Sequence, residues 1–201
     1  MSVTLSPPLP AEQRPEDRRW TVEEFHRAAA AGHIDDPDRL ELVHGRLNKI
    51  MQGDRHANLR ARVSRRLRRV LDPPLFARDE NPLHIAFDGE PIPDVMFIYQ
   101  EEYEGRHPYP ADVALLIEVA DTSMLYDLGE KALLYAEAGI TDYWVVLVNE
   151  PLVVVHRQPT AEGYREVTRL AGADTLSPLA APEAVWTVDT LLGRAEASEE
   201  D

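Results

Sequence analysis

The 201-residue chain has no cysteine. Disulfide scaffolds, thiolate zinc sites and cysteine nucleophiles are therefore excluded. It has no apolar run long enough to span a bilayer. Its opening stretch, MSVTLSPPLPAEQRPEDRRW, does not follow the positive-then-apolar layout of a secretory signal. The expectation is a cytoplasmic protein with no membrane partner. Internal repeats and low-complexity segments are missing too. Lysine is almost absent, with only Lys49 and Lys131 against 19 arginines. An ammonium kept at one place against that bias points to a role that a bulky, always-charged guanidinium would not fill. What remains is ordinary globular composition, 44% hydrophobic and 28% charged, at a length suited to one domain.

Basic charge is also scarce, and the formal net charge is −15. Alone this argues against a polyanionic partner. Its distribution weakens the objection, because the window Arg55–Arg69 (RHANLRARVSRRLRR) holds seven arginines and no acid. Acids gather instead near the ends, at Glu12, Glu16 and Asp17 and at Glu196, Glu199, Glu200 and Asp201.

Residues 1–19, rich in Pro, Glu and Arg, read as a flexible arm, residues 20–193 as a single domain, and 194–201 as an acidic tail. Thr21-Val-Glu-Glu24 is a capping box, and Gly32 ends the short helix that follows. Arg39–Met51 alternates around His44-Gly45, a β-hairpin signal. A helix is expected from about Ala57 to Leu71, stopped by Asp72-Pro73-Pro74. Its Leu59, Val63, Leu67, Val70 and Leu71 form an apolar stripe, with Arg62, Arg65, Arg66, Arg68 and Arg69 on the other side. Strands are expected at Leu83–Phe87, Ile92–Tyr99, Val113–Ala120 and Asp142–Asn149. Pro151–Arg157 would return beside the last of these, and Tyr164–Leu170 would add an edge. A helix capped by Asp127 and closed by Gly139 bridges two of the strands, and Thr187–Gly193 suggests a short closing helix. The order predicts an α/β or α+β fold, with a central mixed sheet flanked by helices and an N-terminal hairpin.

Three residues carry the chemistry. Asp94 in Ile-Pro-Asp-Val and Glu118 in Leu-Leu-Ile-Glu-Val-Ala sit in apolar strands, where an unpaired carboxylate is costly. Lys131 follows on the bridging helix, with Asp127 and Tyr135 on the same face. Two carboxylates and an amine drawn together by a small sheet suit metal-dependent phosphodiester cleavage. The acids would hold Mg²⁺ or Mn²⁺, and the amine would orient water or stabilise phosphate charge. The blander reading makes Asp94 a turn residue, Glu118 an arginine partner and Lys131 a solvated helix residue.

The motifs, taken in order, resemble a known family. Glu41-Leu-Val-His-Gly-Arg-Leu, His56 at a helix start, Pro93-Asp94-Val, Ile117-Glu118-Val, and Asp127-x3-Lys131-x3-Tyr135-x3-Gly139 leading to Asp-Tyr143-Trp144 look like the Uma2 family. These are restriction-endonuclease-like proteins of the PD-(D/E)XK nuclease superfamily. The resemblance covers roughly residues 20–190. It implies the restriction-endonuclease-like fold and a Mg²⁺-dependent nuclease site, with Asp94 and Glu118 as the motif acids. The superfamily pattern puts a lysine two residues after the second acid, where this chain has Ala120. The resemblance assigns that amine to Lys131.

Further candidates are Glu41, a metal contact or a solvent-facing strand residue, and His56, a phosphate contact or a structural histidine. Asp127 reads as a helix cap with a secondary influence on Lys131, and Tyr135, Tyr143 and Trp144 as core aromatics. Arg62, Arg65, Arg66 and Arg69 could track DNA phosphates, form a solvated face, or dock on a second copy. A DNA endonuclease acting as a homodimer is the expectation, and an inactive nuclease-fold module for DNA or protein binding is the alternative.

Overall fold

The computed structural model describes residues 19–102 and 106–194. The expected arm, apart from its last residue, and nearly all of the acidic tail lie outside the described residues. Thr21 caps α1 (Val22–Ala30): its side chain accepts from the Glu24 N–H while the Glu24 carboxylate takes the Thr21 N–H, the full reciprocal box. β1 (Leu40–Val43) and β2 (Arg46–Lys49) form the expected antiparallel hairpin. Its two turn residues, His44 and Gly45, have φ of 47° and 72°, the left-handed pair that tight hairpins require. The hairpin is stitched to the next segment by backbone bonds in both directions between Leu42 and Glu90.

α2 (Asp54–Leu71) begins three residues earlier than the sequence suggests, after Gly53 as N-cap, and so takes His56 into its first turn. Val63, Leu67 and Leu71 are buried as expected, whereas Val70 is 53% exposed and drops out of the stripe. The main sheet has the order β3-β4-β5-β6-β7-β8. Its strands are β3 (Phe76–Asp79), β4 (Val95–Ile98), β5 (Val113–Ala120), β6 (Asp142–Leu147), β7 (Leu152–Thr160) and β8 (Gly163–Ala171). Only β5 and β6 pair in parallel, so the sheet is mixed.

Two strand expectations are corrected. Leu83–Phe87 is not a strand: its amides bond to Pro91, Pro108 and Gly89 carbonyls in a loop, and the β4 edge is taken by Phe76–Asp79 instead. The Ile92–Tyr99 run shortens to Val95–Ile98, because Pro93 has no N–H to continue the ladder. The hairpin of β6 and β7 is interior, since β8, at the place expected for the Tyr164–Leu170 edge strand, covers β7.

α3 (Met124–Tyr126), a π-helical turn (Asp127–Lys131) and α4 (Ala132–Glu137) make one continuous bridging helix between β5 and β6. Asp127 is therefore internal and not the cap, which corrects the expectation. Ser123 precedes the helix, and its hydroxyl donates to the Asp127 carboxylate at 2.5 Å. β9 (Thr175–Leu176) pairs with β10 (Trp186–Thr187), and α5 (Val188–Leu192) ends at Gly193 with φ 74°.

The sheet separates two apolar cores. One joins α2 and α5 to Val95, Phe97, Ile117, Val119, Trp144 and Val146. The other joins α4 to Met96, Leu116, Tyr143, Val145 and Val154. β5 and β6 are buried along their whole lengths, as strands covered on both faces must be.

Candidate active site

Strand alternation puts Asp94 in phase with Met96 and Glu118 in phase with Leu116, so both acids face the α4 side of the sheet. They meet where β4 begins. The Asp94 carboxylate accepts the Val119 N–H at 2.7 Å, and the Asp94 N–H donates to Glu118 Oε2 at 3.3 Å. Each acid thus receives an amide at or beside the other, at the point where Pro93 stops the ladder. The two carboxylates, 5% and 3% exposed, are fixed by backbone as well as by side chains.

The helix supplies the amine. Lys131 Nζ donates to Glu118 Oε1 at 2.9 Å and lies 3.0 Å from Glu41 Oε2. Tyr135, one turn on, donates its hydroxyl to the same Glu118 Oε1 at 2.8 Å. Glu41 arrives from β1 and also accepts the Ile92 N–H at 3.2 Å. On the other side of the sheet end, His56 Nε2 lies 3.0 Å from Asp94 Oδ2, while its buried Nδ1 has no hydrogen-bond partner among the described residues. Asp94, Glu118, Lys131, Glu41, His56 and Asp127 all line one cavity of about 220 Å³. Sequence reasoning missed two of its contacts. Gln52 reaches Asp94 Oδ1 at 3.3 Å, and Tyr135, read as core, is a hydrogen-bond donor to the site. A buried phenol needs a partner, and that was the available signal for Tyr135.

Electrostatically the cavity holds more acid than base. Burial pushes the Glu118 carboxyl well up, against the pull of Lys131, with Asp94, Asp127 and Glu41 adding to the rise. Asp127 is raised by burial as well, opposed by Lys131 and by the Ser123 hydrogen bond. Lys131 loses hydration on burial, but Glu118, Glu41 and Asp127 outweigh that loss and hold it as a firm ammonium. His56 is opposed by burial too, and the Asp94 carboxylate still raises it.

These observations bear on a divalent cation. The donors are oxygens, acid outnumbers base, and the second oxygens of Asp94 and Glu118 have only stretched 3.3 Å contacts. That set suits a hard cation. Among the described residues no three His, Asp or Glu side chains form a ready-made cage. A cation here would be held by two carboxylates and would take its other ligands from water and phosphate, as Mg²⁺ does.

The expected phosphate-facing arginines divide into two sets. Arg65 and Arg69 are exposed, while Arg62 and Arg66 are half-buried. Arg62 donates to the Leu192 carbonyl at 2.9 Å. An added Cβ at Gly193 would come within 2.8 Å of both Arg62 and Arg66.

A mixed sheet between helices, with paired acids at the sheet end and an amine above them, defines the restriction-endonuclease-like class. The model of the Uma2 family, described as "Putative restriction endonuclease", matches residues 22–190, and the chain belongs to that family. The crystal structure of a "putative nuclease belonging to DUF820" from Anabaena variabilis is similar in fold. It has a TM-score of 0.66 at 17% identity, over 87% of this chain and 98% of that one. No curated protein shows significant sequence similarity. No helix among the described residues is long and apolar enough to cross a membrane.

Proposed function

We propose that the chain is a Mg²⁺- or Mn²⁺-dependent endonuclease that hydrolyses DNA phosphodiester bonds. The observation that carries this reading is the convergence of Asp94, Glu118 and Lys131 in one open cavity with an excess of buried carboxylate. Asp94 and Glu118 would hold the cation. When bound, the cation supplies Lewis-acid polarisation of the phosphate and a more acidic water. Lys131, held by Glu118 and Glu41, keeps a fixed positive charge beside the scissile phosphate, where negative charge grows as water adds and the ester oxygen departs. Tyr135 and the Asp94 N–H hold Glu118 in place, and His56 and the Val119 N–H hold Asp94. Glu41 positions Lys131.

The test is plasmid cleavage with Mg²⁺ or Mn²⁺ together with calorimetric titration of Mn²⁺. Asp94→Asn and Glu118→Gln should each abolish cutting and the binding heat while the fold persists. Cleavage by both variants at the wild-type rate would remove the assignment. Absence of Asp94- and Glu118-dependent Mn²⁺ binding in the wild type would favour a non-catalytic nuclease-fold module. The described residues form one such cavity, and cutting both strands of a duplex calls for two, so the proposed active form is a homodimer. A sedimentation run at micromolar concentration decides this: a strict monomer that makes double-strand breaks refutes it.

A further inference from the structure

A second, arginine-lined pocket of about 250 Å³ opens between the first half of α2 and the end of β6. Arg55, Asn58, Leu59 and Arg62 follow the i, i+3, i+4, i+7 spacing that gathers residues on one helix face, and all four line it. Leu147 and Val148 form the sheet wall, and Arg194 closes the pocket beyond α5. No acid lines it. The other large opening beside the active cavity shares Ile50, Gln52 and Ile92 with it but is rimmed by Asp38, Asp54 and Glu80 against one base, Arg39. The surroundings of the site are thus polarised, repelling phosphate on one flank and attracting it on the other.

The arginines of α2 divide in the same sense. Those turned towards β3 are neutralised, Arg60 by Glu80 at 3.0 Å and Arg68 by Asp79 at 3.1 Å. Among the described residues no carboxylate pairs with Arg55 or Arg194. Arg62 is anchored by the Leu192 carbonyl, which leaves its other N–H groups for a ligand. Gly193 makes that anchoring possible, since a side chain there would collide with Arg62.

The position suits a strand of nucleic acid. His56, next in sequence to Arg55, touches Asp94. Leu147 pairs with Ala120, two residues past Glu118. From strand rise and spacing the backbone of Leu147, in the pocket wall, lies about 8 Å from that of Glu118. With about 3.4 Å of axial rise per nucleotide, that is the reach of about two or three nucleotides of one strand.

We infer that the Arg55–Asn58–Arg62–Arg194 pocket is a backbone-phosphate subsite that seats DNA two or three nucleotides from the scissile bond. The inference rests on the nuclease reading for the identity of the polyanion. Its test is binding of a fluorescent 20-base-pair duplex by anisotropy across a salt series in EDTA, where no cleavage occurs. Arg55→Gln/Arg194→Gln should bind more weakly, with the slope of log K against log salt reduced by about 2. Arg165→Gln/Arg169→Gln, with the same charge change on the exposed far strand β8, should keep the wild-type slope. Equal loss from both pairs would mean a net-charge effect and overturns the subsite, as does a wild-type slope in the first pair or no duplex binding by the wild type. If the wild type binds with the expected slope but never cuts with Mg²⁺ or Mn²⁺, the subsite stands and the nuclease reading falls.

Discussion

Lys131 stands between two buried carboxylates, Glu118 and Glu41, and its own exposure is 5%. A buried ion cluster costs most when a single partner is removed, because the survivors stay desolvated and uncompensated. Lys131→Met should therefore abolish cleavage and also lower the unfolding free energy by about 3–5 kcal/mol, read from urea denaturation. Glu118→Gln keeps the shape, removes a charge from an acid-rich cavity and leaves Lys131 its Glu41 partner. Its stability loss should be the smaller of the two. Equal or larger loss from Glu118→Gln would show that Lys131 is not what balances the acids. Arginine cannot stand in: a planar fork does not fit a space shaped for one Nζ between two carboxylates, which accounts for a lysine here in so arginine-rich a chain.

At the scale of elements, legibility followed burial and turn chemistry. β5 and β6 were readable because both faces are covered, so Val-Ala-Leu-Leu-Ile and Tyr-Trp-Val-Val-Leu run almost unbroken. The α1 box and the His44-Gly45 turn were readable because each depends on a few neighbouring residues. β3 was hidden because Phe-Ala-Arg-Asp is only four residues long and half-buried throughout, with neither alternation nor an apolar run. Leu83–Phe87 misled because only Leu83 fills the core, with Ile85 packed against it, from a loop whose amides bond elsewhere, while Phe87 is 74% exposed. The acids were legible as polar residues in apolar strands, and Lys131 as one of two lysines against 19 arginines and through the family resemblance. Glu41 could not be placed, since its contact with Lys131 depends on the hairpin folding back onto a helix 90 residues later. The π turn at Asp127–Lys131 has no sequence signature of its own, although such turns recur at functional sites. The split between neutralised and available arginines on α2 depends on β3 and α5, and periodicity sees neither.

For the molecule as a whole, stability against pH combines two opposed effects. With a formal charge of −15, mild acidification relieves self-repulsion and favours the compact state. His156 works the other way. It lies in β7 at 4% exposure, its ring 5.1 Å from that of Tyr143 and 5.4 Å from that of Tyr164, with Nδ1 buried and without a hydrogen-bond partner among the described residues. Burial lowers its pKa, offset only in part by backbone hydrogen bonding at Tyr143 and Val154. A histidine depressed in the folded state binds its proton more readily when unfolded, so the unfolded chain holds more protons below about pH 6.5. Stability from this group is complete above that pH and is lost as the pH falls towards the folded-state value. His156→Phe keeps an aromatic ring between the tyrosines and removes the titration. In EDTA, thermal melts from pH 8 to pH 5 should show the wild type losing stability relative to His156→Phe as the pH drops below about 6.5. Parallel curves for the two proteins would mean that His156 is protonated equally in both states, and that its burial between the tyrosines does not govern the acid limb.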